Sequence, residues 1–422
     1  MVATLTRIFG IACLNLAEDV VQEALARALQ TWPYYGLPKN PSGWIMQVSK
    51  NLALDVVRRE KVFRDKESEI AALIEQQNAA GTDEARFDQE LKDDRLRMMF
   101  VCCHPLIPQE AQVALALKTL CGFGIGEISQ AFLTSEAAIA KRLTRAGQKI
   151  REARIAFEIP AGEELSRRLD GVLQTVYLLF NEGYKASSGE KLVRQELCDE
   201  AIRLALLLVE HPAGNRPATH ALLALMFLNA ARLPTRLDAE GNMLRLKEQD
   251  RARWDRSMIA CGLFHFAQSA SGDDLTEYHL QAGIAACHCV AKDYESTNWR
   301  QILSLYERLL ERDSSPVTAL NRAVAVANVH GPRAGLEALA SVRNRKELSS
   351  YYLLYAILGE FEAQLHHPQA AAAHFRKSRE LAGIKSEQTF LSKRLRECEE
   401  QILAGHETQA QRTPAVLSQG RL

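Results

Sequence analysis

The stretch from Gly122 to Arg154, GFGIGEISQAFLTSEAAIAKRLTRAGQKIREAR, predicts two helices joined by a tight turn. Apolar residues recur at helical intervals on both sides of a break at residues 133–134. In the first helix the apolar residues are Ile125, Ile128 and Phe132. In the second helix they are Ile139, Leu143, Ala146, Ile150 and Ala153. Either Thr134 or Ser135 can cap the second helix by accepting a hydrogen bond from a free backbone N–H.

The second of these helices carries a basic face opposite its apolar stripe. At about 100° per residue, Lys141, Arg145 and Lys149 fall on one side, with Arg142 at the border. A helix with one core face and one basic face suits the recognition helix of a helix-turn-helix motif, which lies in the major groove between two phosphate backbones. An ordinary surface helix with a solvated basic face is the alternative, and this stretch alone does not decide between them.

The composition is that of a globular protein, and the chain length suggests two or three domains. Of the 422 residues, 47% are hydrophobic and 25% are charged. Because 52 basic side chains balance 52 acidic ones, only a local basic patch can indicate nucleic acid. No apolar run reaches the roughly 20 residues that cross a membrane, and no cleavage site follows the apolar N-terminal stretch. We therefore expect no membrane partner and no signal peptide.

The nine cysteines follow no repeating spacing. The two clusters, Cys102-Cys103-His104 and Cys287-His288-Cys289, lack a second ligand pair at zinc-finger distance, so we interpret them as buried thiols. An odd number of cysteines without a disulfide framework fits a reducing compartment. We expect a cytoplasmic protein with no metal and no cofactor.

Residues 16–29 predict an amphipathic helix with an acidic face. Its core positions are Val20, Val21, Ala24, Leu25 and Ala28. Its acidic face consists of Glu18, Asp19, Gln22 and Glu23. Acidic residues near a helix N-terminus stabilise the helix through its dipole, which is an ordinary structural role. The functional alternative is a docking surface for a basic partner.

Asn40 and Pro41 open the next predicted helix, because asparagine caps well and proline is tolerated at the first position. Its predicted core stripe is Ile45, Val48, Leu52 and Val56. A neighbouring face presents Trp44, Asn51, Asp55 and Arg58, with Arg59 following. Aromatic rings stack on unpaired bases and arginine pairs with phosphate, so this face is a candidate for contact with melted DNA. Tryptophan in a helix is, however, more often a core residue.

Three segments together resemble one protein family: AEDVVQEALARAL at 17–29, GWIMQVSKNLALDVVRRE at 43–60, and the helix-turn-helix at 122–154. They are similar to the bacterial extracytoplasmic-function (ECF) sigma factors of the sigma-70 family. The resemblance implies sigma region 2 at residues 1–62, lacking part of its first helix, and sigma region 4 at residues 93–159. It also implies two partners, promoter DNA and core RNA polymerase, the latter through its β′ clamp helices and β flap.

The resemblance assigns candidate site residues. The polymerase-binding residues would be Asp19, Gln22 and Glu23. The residues that melt and read the −10 promoter element would be Trp44, Asn51, Asp55, Arg58 and Arg59. Contacts with the −35 element would come from Ser135, Ala138, Lys141, Arg142, Arg145 and Lys149. Two positions depart from the family pattern: Lys50 replaces an arginine, and Gly147 weakens the recognition helix by about 1 kcal/mol relative to alanine.

Residues 63–92 predict a linker, since they are charged and lack a sustained apolar stripe. The two promoter elements lie on the order of 60 Å apart, taking about 17 base pairs of about 3.4 Å each. About thirty extended residues can span roughly 100 Å. The linker is therefore long enough for two small domains to bind separate elements.

Residues 160–404 predict a helical extension with short breaks. Within it, residues 298–382 resemble tetratricopeptide units, which stack to form a concave face for a peptide or another domain. LLFNEGY at 178–184 and the polar insertion ending in QDRARWD at 249–255 resemble the ECF subgroup that has a long C-terminal extension. That resemblance implies regulation of the sigma core in cis. We expect residues 405–422 to be disordered.

We therefore predict an all-α sigma factor without enzymatic activity, since no nucleophile–base pair or metal-ligand spacing is present. Two alternatives remain. One is a helix-turn-helix transcriptional regulator with a tetratricopeptide-like sensor, which would act without sigma activity and would not need residues 17–60. The other is a helical scaffold or enzyme in which both regions are only structural.

Overall fold

The computed structural model describes residues 1–59, 94–95, 97–132, 134–153, 155, 157–160, 163–185, 192–272, 274–312, 315–342 and 347–411. Every regular segment among these residues is a helix, apart from an isolated bridge between Leu237 and Met243. The predicted all-α class is confirmed. The predicted linker at residues 63–92 lies outside the described residues.

The helices of the predicted sigma regions come first in the chain. They are α1 (Val2–Phe9), α2 (Leu14–Tyr35), α3 (Pro41–Arg59), α4 (Gln109–Cys121), α5 (Ile125–Ala131) and α6 (Glu136–Glu152). Residues 97–102 are also helical. The helices that follow are α7 (Glu163–Tyr184), α8 (Gln195–Glu210), α9 (Pro217–Ala230), α10 (Arg256–Ser269), α11 (Glu277–Val290), α12 (Trp299–Arg312), α13 (Pro316–His330), α14 (Pro332–Ala340), α15 (Tyr352–Gln364), α16 (Pro368–Leu381) and α17 (Lys385–Gln411).

These helices form two compact units. The first comprises Met1–Asn181 with Arg203–Asn215, and the second comprises Glu182–Ile202 with Arg216–Leu422. Regions 2 and 4 of the sequence prediction thus fall within one unit. The limits between the units lie inside α7, inside α8 and after Asn215, whereas the sequence predicts the end of region 4 at residue 159.

The core of α1–α3 differs in part from the predicted stripe on α3. The buried residues of this core are Leu5, Ile8, Phe9, Cys13, Ala17, Val20, Met46, Ala53 and Val57. Of the predicted stripe only Ile45 is buried, whereas Val48, Leu52 and Val56 are half-buried. The prediction was therefore wrong for Val48 and Val56, whereas Leu52 packs against the core from a half-buried position. The buried stripe of α3 includes the polar residues Ser49 and Lys50 and is less apolar than the predicted one. Packing against α1 and α2 therefore decides which face of α3 is buried.

The first half of α7 packs against the residues of predicted region 4. The Arg168 guanidinium is buried and donates to the backbone carbonyl of Phe100 at 3.1 Å. Gly171 lies so close to its neighbours that a Cβ there would come within 2.7 Å of Gln112 Oε1 and 3.3 Å of Cys103 Sγ. Cutting the chain at residue 160 would therefore separate side chains that form one core.

The four cysteines of the predicted clusters are buried, which confirms their interpretation as buried thiols. Burial raises the pKa of Cys102 to about 12 and that of Cys289 to about 11. Both side chains therefore remain protonated thiols. Within the described part of the chain, no group of three or more His, Cys, Asp or Glu side chains has the arrangement of a metal site.

The polar insertion is attached to the neighbouring helices by a buried arginine. Arg251 donates to the carbonyl oxygens of His288 at 2.8 Å and Ala291 at 3.1 Å, and to Thr297 Oγ1 at 2.9 Å. Asp255 caps α10 by accepting from backbone N–H groups of its first turn. This end of the insertion therefore both caps a helix and pairs with adjacent segments.

The last helices are held by two further polar clusters. Lys185 Nζ lies 3.0 Å from Tyr352 Oη and 3.3 Å from a Glu387 carboxylate oxygen. A second cluster joins Arg245 and Arg394 to the carboxylate of Glu360. The description of this part as tetratricopeptide-like stays a prediction.

The C-terminal residues depart from the expectation of disorder after residue 404. The helix α17 continues to Gln411, so the prediction was wrong for residues 405–411. Residues 412–422 lie outside the described part of the chain.

Candidate nucleic-acid interface

The predicted helix-turn-helix is formed by α5 and α6. Ser135 caps α6, and its side-chain oxygen accepts from the backbone N–H of Ala138 at 3.3 Å. The apolar stripe of α6 is buried at Ile139, Leu143, Ala146 and Ile150, as the sequence predicted. Ala153 is exposed, because α6 ends immediately before it. These contacts fix the orientation of α6 and leave its opposite face towards solvent.

The four basic side chains of α6 differ in how they are engaged. Lys141 and Arg145 are exposed and make no hydrogen bond or ion pair with any described residue. By contrast, Arg142 lies 2.8 Å from a carboxylate oxygen of Glu110. Lys149 Nζ donates to the backbone carbonyl of Leu106 at 3.0 Å. Lys141 and Arg145 can therefore bind phosphate directly. Arg142 and Lys149 must first break a contact within the protein.

The other two predicted −35 residues lie at the start of α6. Ser135 is exposed, and its hydroxyl oxygen serves as the helix cap. Ala138 is half-buried on the first turn. If this turn contacts DNA, the N-terminus of α6 would lie close to a phosphate, whose negative charge the helix dipole stabilises.

The predicted −10 face lies along α3. Asn51, Asp55 and Arg58 are exposed, and Asn51 Oδ1 accepts from Gln47 Nε2 at 3.3 Å. Trp44 is half-buried and packs edge-on against Trp32, with ring centroids 5.5 Å apart. Trp44 therefore presents only part of its ring to solvent.

Arg59 and Lys50 are two further basic residues of α3 on which the sequence analysis commented. The side chain of Arg59 lies outside the described part of the chain. Lys50 precedes Asn51 and is only 6% exposed, so it is not part of the solvent-facing surface.

The acidic face of α2 is open to solvent. Asp19, Gln22 and Glu23 are all exposed. Glu23 pairs with Arg27 at 2.9 Å within the same helix. Glu18 differs from them, because it lies 2.9 Å from Lys118 Nζ of α4. The acidic surface available to a partner therefore consists of Asp19 and Glu23, with the neutral Gln22 beside them.

An apolar surface beside the acidic face was missed by sequence reasoning. Leu25, a predicted core residue, is 44% exposed, and Val21 is half-buried. Further exposed apolar side chains follow it: Leu29 at 79%, Tyr34 at 86%, Tyr35 at 89% and Leu37 at 75%. Large exposed apolar patches commonly mark interaction sites. The signal in the sequence was two adjacent tyrosines before a Gly- and Pro-containing loop.

Comparison with known proteins identifies the family. Residues 3–62 match the sigma-70 region 2 model. The probable ECF RNA polymerase sigma factor SigI of Mycobacterium tuberculosis is 26% identical over 236 residues, which cover 52% of this chain and 78% of SigI. The ECF RNA polymerase sigma factor SigE of Mycolicibacterium smegmatis is 26% identical over 136 residues, covering 32% of this chain and 51% of SigE. Residues 3–62 therefore belong to sigma-70 region 2, and the chain is a sigma factor similar to those of the ECF class.

Two further comparisons include the extension of this sigma factor, one of them over nearly the whole chain. Residues 168–270 match a family of unknown function, DUF6596. The uncharacterized protein R00370 of Rhizobium meliloti is 38% identical over 395 residues, which cover 90% of each chain. No solved structure matches this sigma factor. Among its described helices, none combines the length and apolar character needed to span a membrane.

Proposed function

We propose that this sigma factor directs core RNA polymerase to specific promoters, and that its helical extension regulates the sigma core in cis. The observation that carries the proposal is the presence of two exposed faces of opposite charge in one compact unit. The acidic face contains Asp19 and Glu23 of α2, and the basic face contains Lys141 and Arg145 of α6. A simple DNA-binding regulator needs only the basic face, whereas a sigma factor also needs a protein-docking face.

The acidic face of α2 is proposed to dock on the β′ clamp helices of the polymerase. Asp19, Gln22 and Glu23 are exposed, so a basic partner can reach them without rearrangement of this helix. Opposite charges across an interface raise the rate of association and select the correct partner. The β flap is the proposed second polymerase contact, through region 4.

Promoter recognition is proposed to divide between α3 and α6. On α6, Lys141 and Arg145 supply free cations for the −35 element, and Arg142 and Lys149 join when DNA displaces their present partners. On α3, the face of Trp44, Asn51, Asp55, Arg58 and Arg59 is proposed to meet unpaired bases near the −10 element. Stacking on the exposed part of the tryptophan would stabilise strand separation.

Regulation in cis is supported by the continuity of α7. This helix runs without a break from Glu163 to Tyr184, so it belongs to both compact units. Its first half packs on the region 4 core through Arg168 and Gly171. The helix therefore connects the extension covalently to the region 4 core, and this connection is the route that we propose for regulation in cis.

Transcription with purified components tests the proposal. The full chain and core RNA polymerase are incubated with fragmented genomic DNA, and the start sites of the transcripts are mapped by sequencing. We expect transcripts that require both proteins and share two upstream sequence elements. We also expect DNA mobility shifts only when core enzyme is present. Tight, specific binding of duplex DNA by the chain alone, without specific transcripts, would support a helix-turn-helix regulator without sigma activity instead.

A further inference from the structure

A cavity of about 650 Å³ lies between α10, α11 and α12, within the second compact unit. This volume is typical of small-molecule sites. Most of its wall is apolar and includes Phe266, Leu280 and Leu305. Gly283 of α11 also lines the cavity and lets Leu305 approach the helix closely, since a Cβ there would come within 3.2 Å of Leu305 Cδ1.

Several polar groups of the cavity wall are already satisfied by their neighbours. His279 Nδ1 lies 2.8 Å from Thr276 Oγ1, and its Nε2 lies 3.2 Å from the carbonyl oxygen of Ser269. Ser296 and Asn298 hydrogen-bond with adjacent residues of their own loop and helix end. These groups therefore have little capacity left for a ligand.

Two further polar side chains of the wall, Arg308 and Gln301, carry N–H donors. Arg308 is exposed and makes no hydrogen bond or ion pair with any described residue. Gln301 accepts from Asn298 through Oε1 at 3.2 Å, while its own amide N–H groups have no partner in the described structure. The two side chains are seven residues apart on α12 and share one helix face. No Asp or Glu is among the described residues that line the cavity.

We propose that this cavity binds a small amphipathic anion. Its apolar body would fill the space between Phe266, Leu280 and Leu305. Its carboxylate, or an equivalent acidic head group, would accept hydrogen bonds from Arg308 and Gln301. Hydrogen bonds from a guanidinium to an anion are charge-assisted and therefore strong. The cavity wall offers one cation, free N–H donors and no carboxylate, so it suits an anionic ligand.

Calorimetric titration of the full chain with decanoate tests the proposal. Decyltrimethylammonium has the same apolar chain and the opposite charge, and both probes are used below the concentration at which they form micelles. We expect saturable binding of decanoate at one site and binding of the cation that is weaker by about tenfold or more. Arg308→Gln should lower decanoate affinity about tenfold for the same reason. Arg300→Gln is the matched control, since Arg300 is exposed on α12 but does not line the cavity.

A second pair of variants tests the proposal at an exposed position, where a substitution should not unfold the protein. Val290 lines the cavity and is 66% exposed, so a polar side chain is tolerated there. Val290→Glu should weaken decanoate binding by like-charge repulsion, and Val290→Gln should weaken it less. Equal affinities for the two probes, equal affinities of Arg308→Gln and the parent, or no saturable decanoate binding to the folded chain would overturn the proposal.

Discussion

Glu18 of α2 and Lys118 of α4 form an ion pair, with Oε2 and Nζ 2.9 Å apart. A second pair joins Arg7 of α1 to the buried carboxylate of Asp94 at 2.9 Å. Both pairs connect region 2 to region 4 within the first unit. Simultaneous contact with two promoter elements on the order of 60 Å apart requires the regions to separate. These pairs therefore oppose the promoter-bound arrangement that we propose.

We expect Lys118→Ala to increase the affinity for core RNA polymerase. The variant releases Glu18, which adjoins the proposed docking residues on α2. Because partly exposed ion pairs contribute up to about 1 kcal/mol, the gain should be about two- to fivefold. Fluorescence titration with labelled core enzyme measures it. Lys377→Ala is the control, since it removes an exposed pair with Glu380 in the extension. An affinity equal to or below that of the parent would contradict the expectation.

Arg145→Ala should reduce transcription from the protein's own promoters more than Arg142→Ala does. Arg145 is free, whereas Arg142 already pairs with Glu110 and must exchange that partner for phosphate. Loss of one phosphate contact should lower the slope of the logarithm of promoter affinity against the logarithm of salt concentration by about one. Surface substitutions change the free energy of unfolding by less than about 0.5 kcal/mol, so thermal melting should be nearly unchanged. Unaltered transcription by Arg145→Ala would remove this residue from the proposed interface.

Combining Asp19→Arg with Glu23→Arg should abolish co-purification with core RNA polymerase. The change reverses the charge of an exposed face, and like charges across an interface are strongly unfavourable. The matched control is the double variant Glu380→Arg and Glu399→Arg, which makes the same charge change on exposed positions of the extension. Pull-down with tagged protein gives the readout. Retention of the polymerase by the α2 variant would rule out docking through this face.

Two glycine-to-alanine variants should have opposite effects on stability. At Gly183 a Cβ would lie 2.6 Å from the backbone nitrogen of Cys198 and 2.9 Å from the carbonyl oxygen of Arg194. Such overpacking costs about 1–3 kcal/mol, so Gly183→Ala should destabilise. Gly147 has nothing within 4 Å of its added Cβ, and Gly147→Ala should stabilise α6 by about 1 kcal/mol. Urea unfolding distinguishes the two, and destabilisation by both would refute the helix-propensity argument.

Lowering the pH should reduce the free energy of unfolding through protonation of His288 in the unfolded chain. Burial, and then the nearby cations Arg232 and Arg251, lower the pKa of this histidine to about 3 from its ordinary 6.5. The unfolded chain therefore binds the proton more readily, and stability falls as the pH drops below about 6.5. From about pH 7.5 to about pH 5 the loss from this residue is about 2 kcal/mol. His288→Gln should flatten the pH dependence of urea unfolding, whereas His330→Gln, at an exposed position, should not.

How far the sequence predicted the site varies from helix to helix. On α6, a single apolar stripe faces a strongly polar side, so the buried and basic faces could be assigned before the structure was known. On α3, the buried stripe includes Ser49 and Lys50, so the periodicity of apolar residues could not identify it. Exposure of Leu25 was also unexpected, because its helical position next to buried Ala24 resembles that of a core residue.

The sequence by itself determined that this chain is helical, that it has the motifs of an ECF sigma factor, and that α6 presents a basic face. These properties depend on residue spacing within single helices, which local periodicity records. Only the tertiary structure decided which of the basic side chains are free, that Glu18 meets Lys118, and that α7 completes the region 4 core. Such contacts join residues far apart in the chain, and no local pattern encodes which distant surfaces pack together.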